Sequence, residues 1–92
     1  MKESVNSTNT LDLIGVEKDL LDYVKELAKE NRCTILDMKY TCKTDFSLVY
    51  DTEPKNMQNF LIIVTLKSSD RNNMKFVEYL YHERIEKLKK LA

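Results

Sequence analysis

The chain has 92 residues, enough for one hydrophobic core and too few for two. Apolar residues make up 42% and charged residues 33%, the balance of a water-soluble folded domain, which excludes disorder over most of its length. Fifteen basic residues offset fifteen acidic ones, so no long-range positive field gathers phosphate backbones or anionic lipid, and no run approaches the ~20 apolar residues of a membrane span.

Residues 1–10 are rich in serine, threonine and asparagine and lack the apolar stretch of a secretory signal. They are expected to form a flexible polar tail on a cytoplasmic protein, or a nuclear one in a eukaryote, with a single domain over 11–92. From residue 13 to 31 the apolar side chains Leu13, Val16, Leu20, Val24 and Leu27 recur at spacings of three and four, widened by Leu21 and Ala28. That period predicts an amphipathic helix, begun by Thr10 or Gly15 and closed by a left-handed Asn31.

Residues 33–43 alternate, with Leu36, Met38, Tyr40 and Cys42 on one face and Asp37, Lys39 and Thr41 on the other. Phe46, Leu48 and Tyr50 repeat the pattern after a turn at Lys43, Thr44 and Asp45, which predicts an antiparallel hairpin. A polar loop with the only proline, Pro54, leads to a third strand over 59–67, apolar on both faces. Ser68, Ser69 and Asp70 then cap a second helix whose stripe is Met74, Val77, Tyr81, Ile85 and Leu88. The expected fold class is α+β, a two-layer α-β-β-β-α sandwich with two helices on one face of a three-stranded antiparallel sheet.

Catalytic patterns are sparse. Gly15 is the only glycine, so no phosphate-cradling loop can be assembled, and His82, the only histidine, falls on the solvent side of the second helix beside Glu78 and Glu86. Cys33 and Cys42 lie ~30 Å apart along an extended strand, cannot pair, and read as buried structural thiols. No cofactor and no metal site is expected.

The aromatic residues Tyr40, Phe46, Tyr50 and Phe60 share phase with the core residues of their strands and are expected beneath the helices, although rings on an open sheet could stack on bases. Arg84 falls within the apolar stripe between Val77, Leu88 and Leu91, where a charge needs a route to water, a carboxylate such as Glu17 or Asp37, or another chain. Leu61 and Ile63 point away from the core-facing Phe60, Ile62 and Val64 and call for a cover.

The α-β-β-β-α order resembles that of double-stranded-RNA-binding domains and of the Alu-binding proteins of the signal recognition particle. Where such an RNA-binding domain carries a lysine-rich segment after a glycine turn, this chain has Ser69, Asp70, Arg71, Asn72 and Asn73, so no family is assigned on that order.

The first functional expectation is a non-catalytic protein-interaction module, either a homodimer or a small subunit or inhibitor of a larger protein. Its interface would use Leu61, Ile63, Arg84, Leu88 and Leu91. The alternative is an RNA- or DNA-binding subunit using Lys39, Lys43, Lys67, Arg71, Lys75, Lys87, Lys89 and Lys90. An enzyme whose site is completed by another chain ranks last.

Overall fold

The computed structural model describes residues 9–91. In chain order the elements are β1 (Asn9–Val16), a 3-10 turn (Lys18–Leu20), α1 (Leu21–Glu30), β2 (Thr34–Cys42) and β3 (Asp45–Tyr50). A second 3-10 turn (Met57–Asn59), β4 (Phe60–Ser68) and α2 (Arg71–Leu91) complete the chain. The strands form one antiparallel sheet in the order β1-β4-β2-β3. The α+β class is as expected, but the sheet has four strands rather than three.

The added strand is β1, which takes the start of the expected first helix together with Asn9 and Thr10 of the expected tail; residues 1–8 of that tail lie outside the described residues. Leu13 and Val16 are three apart, a spacing that shares a face on a helix and splits across faces on a regular strand. A bulge restores the shared face: Leu13 pairs with Val64 and Val16 with Ile62, so Ile14 and Gly15 together oppose Ile63. Gly15 makes this possible by taking φ +86°. The added strand also parts the topology from the α-β-β-β-α order.

The end of α1 differs in one residue from expectation. Arg32, at φ 59°, takes the left-handed position, while Asn31 stays at φ −113° and donates its side-chain amide to the Leu27 carbonyl at 2.8 Å. The Cys33 N–H then returns to the Ala28 carbonyl at 2.8 Å, closing a Schellman motif. At the start of α2, Asp70 accepts from the Asn72 N–H at 2.9 Å, and its own N–H donates to Ser68 Oγ.

Both helices lie on one face of the sheet, α2 over β1 and β4 and α1 over β2, and they pack against each other. Leu13, Val16, Val24, Ile62, Val64, Leu66, Met74 and Val77 are almost fully buried between the layers. Each contributes roughly 1.5–3 kcal/mol by leaving water. β3 lies at the edge of the sheet, and all six of its residues are exposed. A second bulge in β2, where Ile35 pairs with Leu66 and Asp37 with Thr65, adds to the curl of the sheet.

Candidate functional site

Alternation along β4 decides which side chains meet the helices and which meet solvent. Ile62, Val64 and Leu66 are buried under the helices, whereas Leu61, Ile63, Thr65 and Lys67 stand on the opposite face, each half-buried. No described element covers that face. Leu61 sits opposite Thr41 on β2, and Thr41 sits opposite Val49 on β3. On the other side Gly15 neighbours Leu61, and a methyl on it would rest in ordinary contact 3.9 Å from Leu61 Cδ1. Ile14, next to it at the bulge, is 65% exposed, and Val49 is 48% exposed. A row therefore crosses the sheet from Val49 on β3 through Leu61 and Ile63 on β4 to Ile14 on β1, apolar except on β2, where Thr41 is its member.

The polar groups around the row are largely satisfied within the chain. Thr65 Oγ1 donates to Asp12 Oδ1 at 2.7 Å. Lys39, opposite Ile63, places its ammonium 2.7 Å from Asp51 and 3.4 Å from Asp37. The hydrogen bond and charge of Lys39 hold the Asp51 carboxyl below its ordinary range, and Asp51 raises Lys39 in return. Thr41, in the middle of the row, is 1% exposed, and its Oγ1 finds no hydrogen-bond partner among the described residues.

The other expected interface residues form a separate surface. Along α2 the last fully buried side chain is Tyr81 and the last to touch the core is Ile85, so residues 86–91 extend past the body of the domain. Leu88 is 40% and Leu91 83% exposed on this extension. Arg84 is exposed, and its guanidinium lies 4.8 Å from the centroid of the Tyr23 ring on α1. An aromatic face, rather than a carboxylate, receives the charge. Leu61 and Ile63 belong to the open face and Arg84, Leu88 and Leu91 to the helix layer, so one compact partner would have to choose between them.

The cations of the nucleic-acid alternative do not converge. Lys39 is paired with Asp51 and Asp37, Lys43 lies 3.6 Å from Glu17, and Lys89 lies 3.9 Å from Glu86. Arg71 and Lys75 open α2 while Lys87, Lys89 and Lys90 close it. Fifteen residues of helix between Lys75 and Lys90 put ~22 Å between the two groups. Lys67 lies at the far end of β4, opposite Thr10 and Thr34.

Several side chains expected in the core lie outside it. Phe46 is 62% and Tyr50 44% exposed, on β3 at the edge of the sheet. Of the four strand aromatics only Tyr40 is buried, while Phe60 is half-buried and meets the Tyr50 ring edge-on at 5.8 Å. Between the pairs Thr41–Val49 and Cys42–Asp45, residues Phe46, Ser47 and Leu48 bulge out of the ladder. Cys42, expected to be buried, is half-exposed at this irregular end. Its thiol lies 3.4 Å from Thr44 Oγ1, and hydrogen bonding there lowers it from its ordinary value. Cys33 is buried, and desolvation raises its thiol.

His82 is exposed, with its ring against the edge of Tyr81. Among the described residues no three His, Cys, Asp or Glu side chains gather as metal ligands would. A concavity of about 320 Å³ is lined by Glu17, Lys18, Asp19, Lys43, Met57 and Gln58, but the Lys43–Glu17 pair crosses it and Lys18 is tied to Glu53 at 3.0 Å. A shallower groove holds Lys25, Lys29 and Arg32 beside Cys33. No described helix is long and apolar enough to cross a membrane.

Compared with protein-family models, curated proteins and solved structures, the chain matches none.

Proposed function

We propose that this domain is a non-catalytic protein-interaction module whose principal contact surface is the open face of the sheet. The observation that carries this reading is the apolar row of Val49, Leu61, Ile63 and Ile14, uncovered by any described element and bordered by polar groups that already satisfy one another. Apolar surface in a continuous patch favours a protein partner. The extended end of α2, with Leu88 and Leu91, is a second and smaller surface on the opposite layer.

The nucleic-acid alternative is supported less well, because a phosphate-binding surface needs several unengaged cations on one side, and here Lys39 and Lys43 are drawn into ion pairs. Among the described residues, no nucleophile, base and orienting group come together to favour the enzyme reading.

Native mass spectrometry of the tagged protein recovered from its source cells distinguishes these readings. The module reading expects added protein mass that persists as salt is raised. Added nucleic-acid mass, released by salt, would replace it with the alternative.

A further inference from the structure

The end of α1 gathers cations that the rest of the fold leaves unused. Lys25 and Lys29 stand one helical turn apart on the exposed side of α1, and Arg32 follows in the turn to β2. With Thr34 they line a groove of about 470 Å³ whose floor is Ala28, Cys33 and Ile35. No carboxylate lines this groove, and none of its three cations forms an ion pair among the described residues. The concavity beside Glu17 differs in both respects, since acids line it and the Lys43–Glu17 pair crosses it.

A structural role does not use these charges up. Cations at a helix C-terminus can bind its last carbonyls, but those of Leu27, Ala28 and Lys29 are already taken by the N–H groups of Asn31, Cys33 and Arg32. The partial charge of the helix end remains, and it offsets only about 0.5 of three full positive charges. Asp22, Glu26 and Glu30 of α1 form no ion pair with either lysine among the described residues. Glu26 and Glu30 each lie one position on from a lysine and turn about 100° away. Asp70, whose charge reaches the Cys33 thiol, accepts from the Asn72 N–H in capping α2. Even with that charge set against the three cations, the sign of the groove is positive.

Arg32 is the most firmly placed of the three. It adopts φ 59°, a conformation that glycine or asparagine takes more readily. Its carbonyl accepts from Ser68 Oγ at 3.3 Å, and the next N–H, that of Cys33, donates to the Ala28 carbonyl at 2.8 Å, so its backbone is pinned on both sides. A guanidinium on such a base presents a planar fork of N–H groups that matches two oxygens of one phosphate.

Size separates small anions from large ones. Seven residues of helical rise put ~10 Å between Lys25 and Arg32, enough for one or two phosphate groups, whereas a single-stranded nucleic acid engages roughly four nucleotides or more. The volume falls in the range of small-ligand sites and leaves room for the remainder of a phosphate ester. We therefore infer that this groove binds a small phosphate-bearing anion, with Arg32 forked on phosphate oxygens and Lys25 and Lys29 beside it. The site belongs to the helix layer, away from the open face, and does not depend on the interaction reading.

Amide chemical shifts of the isotope-labelled whole chain, followed as inorganic pyrophosphate is added to about 10 mM at low ionic strength, test it. Saturable shifts are expected at residues 28–35, with a dissociation constant below about 1 mM. Lys29→Gln and Arg32→Asn are each expected to weaken binding about tenfold, the asparagine keeping the left-handed backbone. Lys87→Gln, at the far end of α2, is expected to change nothing, and the dispersion of the same spectra reports that each variant is folded. Absence of saturable shifts, or shifts at the lysines of both helices that Lys29→Gln and Arg32→Asn leave unaltered, overturns the inference. Tighter binding of a single strand of about 16 nucleotides through the same cations would also overturn it, in favour of a nucleic acid.

Discussion

At the residue scale, three positions carry local physics that can be measured separately. Gly15 holds φ +86° at the β1 bulge, and a methyl there has room, since its nearest neighbour would be 3.9 Å away. Gly15→Ala is therefore a conformational rather than a steric change and should lower stability by about 1–2 kcal/mol, read as a shift in the urea midpoint with an unchanged slope. Arg84 over Tyr23 should be worth about 0.5–1 kcal/mol at this exposed site, recovered as the coupling in a double-mutant cycle of Arg84→Ala and Tyr23→Leu. The two thiols should separate in a disulfide-exchange assay near neutral pH, Cys42 reacting quickly and Cys33 only as the domain opens. Equal rates would mean that Cys33 is not buried.

At the element scale, the sequence was most legible where one period had one interpretation. The stripe of α2, its Ser68 and Asp70 cap and the alternation of β4 all correspond to what their residues dictate. The first helix was placed too early because Leu13 and Val16 satisfy a helical spacing and, through a bulge, a strand spacing equally well. The signals for the strand were Thr10, Ile14 and Val16, all β-branched, together with Gly15, the one residue suited to the bulge.

Which strands the helices cover is decided by sheet order, a property of the whole fold. Phe46 and Tyr50 therefore looked like core and proved to be exposed on β3. Leu61 and Ile63 could be read as outward-facing from alternation alone, whereas Ile14 and Val49 joined them only once β1 and the register were known. The extension of α2 gives a further prediction: removing residues 87–92, beyond the last core contact at Ile85, should leave the melting temperature of the domain within a few degrees.

At the scale of the whole molecule, the balance of layers bears on stability and on the proposed function. Fourteen buried apolar side chains lie between the helices and one face of the sheet, and the other face is left to solvent or a partner. Alkaline pH should weaken the fold. Burial raises the Cys33 thiol above 9.0 and the Tyr81 phenol above 10.0, and a hydrogen bond to Glu83 raises Tyr79. For Tyr81 the nearby Glu17 N–H offsets part of this, although the two do not meet hydrogen-bond geometry. Groups raised in the folded state stabilise it fully below their unfolded values and cease to do so as pH passes their folded ones. Thermal melts should therefore hold steady to about pH 9 and fall above it.

The central claim is that the open face works in contact with another protein surface and is not part of the core. It is tested most directly by pairing a circular-dichroism melt with an association measurement on Ile63→Asp, made alongside the wild type. The account predicts a cooperative melt close to that of the wild type and loss of association. An unfolded variant would place Ile63 in the core, and a folded variant that associates as the wild type does would contradict the claim.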